Sequence, residues 1–238
     1  MSLKTIVQNS ADEVGVVRPT TVIGNLDPDV TMFLRLANKV GISLMKASAT
    51  GWQALNTEKT FTSVATEEQV AILPSDFDRF LPETFWNRTA DVLLSGPIGA
   101  VEWQGLKAGS YNNTRLPRFR YRGDGVLVIP TLVAGQSLTF EYVSKNWCAT
   151  SGGTGQAVWA ADSDVGVLSE ELMTLGLNFQ YLQAKGQPNA SAASDFVELF
   201  NTILQSESRG ARILVAGDIF GKGRHFDGVP SSGGSTLF

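Results

Sequence analysis

The sequence predicts an α+β fold: a four-helix unit assembled from both chain ends, an inserted antiparallel β domain and an extended C-terminal arm. Three observations predict it. Apolar residues recur with the helical period near both ends, short β-branched and aromatic runs fill the middle, and a Gly-rich segment with scattered apolar residues closes the chain. At 238 residues the chain can bury roughly 70 to 75% of its unfolded surface, enough for a substantial core.

A first helix is expected from Leu3 to Val14, ended by Gly15 and Pro19. The clearest helix opens at Asp27, a capping residue, with Pro28 where a missing N–H costs nothing. Val30, Phe33, Leu34, Ala37, Val40 and Leu44 then mark one buried face as far as about Lys46. Between about Glu58 and Lys145 the period changes. The runs TEKTFTSVAT, EEQVAILP, DVLLSGPI, PRFRYRG, GVLVIP and QSLTFEYVSKNW read as strands, and a short helix from about Gly99 to Lys107 interrupts them. The sharpest hairpin is Arg118 to Ile129, turned by Gly123-Asp124-Gly125.

Residues 149–166 are polar and Gly-rich, so few apolar contacts and a mobile loop or projecting hairpin are expected there. Helical period then returns. Ser169 can cap a helix carrying Leu168, Leu172, Leu175, Phe179 and Leu182 that stops at Gly186 and Pro188, and a second helix from about Ala190 to Ser208 buries Phe196, Leu199, Phe200, Ile203 and Leu204. These two form an antiparallel hairpin, and docking it onto the N-terminal pair gives both a core. The expected division is therefore residues 1–57 with 167–210 as a discontinuous helical domain, 58–148 as the β domain, 149–166 as a Gly-rich loop and 211–238 as the arm. Ile213, Leu214, Val215, Ile219, Phe220, Phe226, Leu237 and Phe238 punctuate that last segment. A free tail should be polar; apolar residues spaced along a Gly-rich arm fit a segment that lies extended on another protein.

Composition excludes much chemistry. One Cys and one His cannot build structural zinc, haem attachment, iron–sulfur or disulfide frameworks, and no cofactor or metal is expected. A net charge of −4 argues against diffuse polyanion binding. No 18-residue apolar run or secretory signal occurs, so the chain is expected to be soluble and unsecreted, with no membrane partner. The sequons at Asn87, Asn112 and Asn189 are then chance matches and Cys148 is an inert reduced thiol.

Catalytic motifs are equally sparse. His225 lies in the arm, far in sequence from any nucleophile loop, so a triad would need a pre-organised geometry that an arm does not offer. Gly217 to Gly223 has three residues between its first two glycines where a phosphate loop has four, and Gly223 stands where Ser or Thr should hold magnesium. Ser43 and Lys46 match a Ser-x-x-Lys spacing without its partner motifs, and Arg122-Gly123-Asp124 is a turn tripeptide. The most charged stretch, residues 67–91, sets Glu67, Glu68, Asp76, Asp78, Glu83 and Asp91 against Arg79 and Arg88. It lacks the central Gly of a calcium loop, and reads as a solvated edge or a contact surface. Opposite in sign, Arg118, Arg120 and Arg122 share one strand face, with Phe119 and Tyr121 on the other. Three readings stay open for those arginines: an edge kept soluble, a contact with Asp76, Asp78 and Glu83 of a neighbouring copy, or a local phosphate contact.

In order, Asp76-Phe77-Asp78-Arg79, Thr84-Phe85-Trp86-Asn87-Arg88, Gly96-Pro97-Ile98, Glu102 to Ala108, Arg118 to Gly123 and Glu141 to Trp147 resemble the head-to-tail adaptor (connector) family of tailed bacteriophages, which includes the tail tubular A proteins. The resemblance spans about residues 1–210. It implies a homo-oligomeric ring, typically of twelve copies, beneath the portal protein, with the helical domain toward the portal and the β domain toward a tail or nozzle protein. Packaged double-stranded DNA would pass through its channel without sequence-specific contacts. It also implies a virion location at the head–tail junction, with assembly in the host cytoplasm. An arm that grips the portal would use Ile219, Phe220, Lys222, Arg224, His225, Phe226, Leu237 and Phe238. The 149–166 stretch looks enlarged relative to the family pattern. A glycan-binding virion surface protein, presenting several of the five Trp, and a hydrolase using His225 with Asp76, Asp78 and Glu83 are the alternatives.

Overall fold

The computed structural model describes residues 2–47, 52–109 and 116–208. They form a mixed α+β structure with five α-helices and antiparallel sheets. The helices are α1 (Leu3–Glu13), α2 (Pro28–Ala47), α3 (Ala100–Ala108), α4 (Glu170–Ala184) and α5 (Ala190–Ser208). Side-chain caps mark the starts of α1, α2 and α4. Ser2 accepts a hydrogen bond from the Thr5 N–H, Asp27 Oδ1 accepts one from Asp29 N at 2.8 Å, and Ser169 Oγ accepts one from Leu172 N. Beyond α4, Gly186 takes φ +66°, the left-handed turn that ends a helix at low cost.

α4 is the hub, in contact with α1, α2 and α5. Gly176 makes that possible, because a Cβ there would lie 2.9 Å from Val40 Cγ1 and 3.0 Å from Phe196 Cε2. Phe33 stacks on Tyr181 at 4.3 Å between ring centroids, and the Tyr181 hydroxyl and Lys185 Nζ both donate to Asp29. Ser10 and Asn178 are buried and joined to one another, and Asn178 also donates to Glu13. That polar chain fixes α1 on α4.

The strands are β1 (Asn56–Thr62), β2 (Glu68–Gln69), β3 (Phe77–Phe80), β4 (Trp86–Asn87), β5 (Val92–Leu93), β6 (Arg118–Arg122), β7 (Gly125–Ile129), β8 (Ser137–Ser144), β9 (Cys148–Ala149), β10 (Gly155–Gln156) and β11 (Val165–Gly166). β8 is central to the largest sheet, with β1 along one side and β3 and β4 sharing the other; β5 continues from β4. A second sheet has the order β2-β7-β6 and contains the expected hairpin, Arg118 facing Ile129 and Arg122 facing Gly125. The two sheets share an aromatic core. Phe80 lies 4.9 Å from Phe140 of one sheet and 5.3 Å from Phe119 of the other, centroid to centroid.

Several expectations are corrected here. β3 and β4 were not among the expected strands, and EEQVAILP and DVLLSGPI each supply only a two-residue strand, the latter adding an isolated bridge from Ser95 to Arg118. The 149–166 stretch is not poor in contacts: β10 and β11 both pair with β9, Trp159 is buried, and Asp164 is 2% exposed. Both acidic groups of this segment work as staples. The Asp164 carboxylate accepts from the N–H groups of Ala160 and Ala161 at 2.8 Å, while Asp162 accepts from Val22 and Ile23. Carboxylates satisfying backbone donors hold a Gly-rich segment in place where apolar periodicity is absent.

Candidate functional site

Two charged faces stand out on the sheets. The first is built on β6, where strand alternation sends Phe119 into the core and turns Arg118, Arg120 and Arg122 toward α3. α3 seats there through Trp103, which packs with Leu127 and Ile129. A shallow cleft of about 510 Å³ results, with Lys107, Arg120, Arg122 and Glu67 around Trp103. Mutual repulsion of the arginines is relieved within the chain. Arg118 reaches Glu102 at 3.0 Å, Arg122 lies 3.6 Å from Glu68, and Lys107 bonds Glu67 at 2.6 Å. Arg120 has no ion-pair partner among the described residues. Tyr121, on the opposite face, stays 51% exposed although its ring lies against Phe80.

The expected acidic partners are separated from one another. Asp76 is committed to its own fold: it accepts from Ser144 Oγ at 2.7 Å and from the Tyr142 hydroxyl at 3.1 Å. Burial, reinforced by this carboxylate, pushes the Tyr142 hydroxyl up to about 12. Asp78 pairs with Arg79 at 2.5 Å. Glu83 lines an open cleft.

That cleft is the second face. It occupies about 390 Å³ over the outer side of β1, β8 and β4, where Glu58, Glu83, Asp91 and Glu141 surround Trp86 and Arg88. Glu58 and Glu141 are direct cross-strand partners. Arg88 bonds Glu58 at 2.7 Å. Glu83, Asp91 and Glu141 have no ion-pair partner among the described residues. The sequence offers no sign of this group, because only the register of β1 on β8 brings Glu58 opposite Glu141, 83 positions away along the chain.

The remaining sequence features are less organised. Trp52, Trp103, Trp147 and Trp159 are buried and Trp86 alone among the five is exposed, so a glycan platform would rest on one ring. Ser43 and Lys46 are both exposed on α2. His225, the Gly217 to Gly223 segment and every arm residue from Ile219 to Phe238 lie outside the described residues. Burial, with Asp164 adding to it, pushes the Cys148 thiol up to about 12, the state of an unreactive sulfur. No group of His, Cys, Asp and Glu among the described residues could hold a metal ion, and no helix among them is long and apolar enough to cross a membrane. Against models of known protein families and against curated proteins, the chain matches none.

Proposed function

We propose that this chain is a subunit of a head-to-tail adaptor ring of a tailed bacteriophage, seated beneath the portal, extending the DNA channel and offering a docking surface to tail or nozzle proteins. One observation carries the reading. The six motifs that resemble the adaptor family, taken in family order, each contribute an apolar side chain to a packed interior: Phe77, Phe85, Ile98, Trp103, Phe119, and Tyr142 with Trp147. Apolar residues of any folded chain pack inside, so it is the order of the six motifs along the chain, compatible with this packing, that supports the reading.

On this reading α1, α2, α4 and α5 act as one helical unit toward the portal, and the sheets face the tail. Subunits meet head to tail, the arginine face of β6 against the acidic side of the next copy, since complementary patches on one molecule generate rings. Within that contact Arg120 and Glu83 matter most, because neither has an ion-pair partner inside the described chain. The C-terminal arm grips the portal, the ring holds typically twelve copies, and DNA slides through a channel that does not bind its phosphates tightly. The test is assembly: purified chain mixed with portal, weighed by mass photometry. Ring-sized additions to the portal are expected. A chain that stays monomeric in the presence of portal overturns the proposal.

A further inference from the structure

The outer face of the β1-β8-β4 sheet carries an unresolved electrostatic cost. Like charges placed directly opposite on paired strands destabilise a sheet, and Glu58 faces Glu141 in this way with Glu83 and Asp91 alongside. Arg88 answers one of the four carboxylates. Trp86, 42% exposed in the middle of the group, offers an aromatic face of the kind that attracts cations.

The chain supplies a complementary occupant close by. Beyond residue 208 it carries Arg209, Arg212, Lys222 and Arg224 against only Asp218 and Asp227, although the whole molecule is net negative. α5 delivers that segment to the right place. The Gln53 N–H donates to Glu207 Oε2 at 2.9 Å, so the last turn of α5 lies beside Gln53, which precedes β1 by three residues. From Gln53 to Glu58 is at most about 17 Å, whereas the 14 residues from 208 to 222 can span up to roughly 45 Å. Reach is ample.

We propose that the basic stretch from Lys222 to Phe226 seats in cis on this sheet face, its cations against Glu58, Glu83, Asp91 and Glu141 and beside the Trp86 ring. The contact belongs to the isolated chain and stands or falls apart from the adaptor reading. It also means that the acidic face cannot hold the arm and a neighbour's arginines at once.

The test uses the full chain with Gly228→Cys carrying a nitroxide, which the buried Cys148 should not compete for. Trp86 emission is taken as the difference from the same protein with Trp86→Phe. Expected is about twofold quenching of Trp86 at low salt, independent of protein concentration and largely lost near 1 M salt, where the Debye length is only about 3 Å. K222E/R224E should abolish the quenching, and adding Glu83→Lys with Glu141→Lys should restore it. Quenching that survives K222E/R224E, is absent from the start, or rises with protein concentration overturns seating in cis. Far-UV circular dichroism of each variant shows whether the fold is intact.

Discussion

Gly41→Ala tests how the sheets are anchored to the helices. Trp147, at the end of the β8 run, is fully buried in the helical core and crosses α2 at Gly41. A Cβ at position 41 would fall 2.3, 2.4 and 2.5 Å from three atoms of the indole ring. Ordinary contact needs the ring to retreat by about 1 Å. The ring is fully buried and Trp159 stands edge-on to it with centroids 5.2 Å apart, so a retreat would disturb packed neighbours. Overpacking of this kind costs about 3 kcal/mol at the upper end, and the helix-propensity gain of Gly to Ala returns about 1 kcal/mol. A net loss of about 2 kcal/mol lowers the melting temperature of a chain this long by roughly 4 to 8 °C. The control is Gly105→Ala in α3, where nothing lies within 4 Å of the added methyl. There the propensity term acts alone and should stabilise by about 0.5 to 1 kcal/mol. Thermal unfolding followed by circular dichroism, with tryptophan emission as a second probe, reads both. A Gly41→Ala protein as stable as its parent, or a Gly105→Ala protein that loses as much, refutes the packing argument.

Other outcomes follow from individual groups. Asp164→Ala removes the acceptor for two backbone N–H groups and should cost about 2 kcal/mol in urea unfolding; a loss below about 0.5 kcal/mol means that the 149–166 segment is held by something else. Cys148 should be silent to a thiol reagent at pH 8 in the native protein and react fully once unfolded, because burial holds its proton; prompt native reaction contradicts that placement. Tyr142 has a folded pKa above its ordinary value of 10, so the stability it lends is complete below pH 10 and is lost as pH rises from 10 to about 12. Tyr142→Phe should flatten the fall in stability across that window, and an unchanged alkaline profile speaks against the Tyr142–Asp76 bond.

α2 and α4 were legible because cap and apolar period agree: Asp27 before Val30 and Phe33, and Ser169 before Leu172. The β6–β7 hairpin was legible for the same reason, its Gly-Asp-Gly turn matching the flanking alternation. β3 and β4 were not. Phe77-Asp78-Arg79-Phe80 mixes aromatic and charged residues, so it reads as a solvated edge until β8 pairs with it, and Trp86-Asn87 is too short to show any period. The ordering of residues 149–166 was equally hidden, because it rests on carboxylates bonding to backbone N–H groups rather than on side-chain periodicity. Charged faces divide along the same line. Three arginines on one short strand are local information, whereas the Glu58–Glu141 pair exists only through long-range register.

This division decides which substitutions can speak to function. The motifs that resemble the adaptor family place Phe85, Trp103, Phe119 and Trp147 in the interior, so truncating Phe119 or Trp103 would cost about 3 to 5 kcal/mol and remove assembly and folding together. Such a variant cannot separate an adaptor from any other protein of the same shape. Arg120 and Glu83 can. Arg120 lies on β6 and Glu83 in the exposed turn between β3 and β4, both lack an internal ion-pair partner among the described residues, and neither belongs to a buried cluster. Reversing one charge should leave the melting transition within about 0.5 kcal/mol of the parent, the ordinary range for surface substitutions. If the two faces meet in a ring, each single reversal weakens association of copies on the portal and the double reversal recovers it, as a paired contact demands. Two reversals whose effects simply add, or that leave association untouched, would place the subunit contact elsewhere on the molecule while leaving the fold as described.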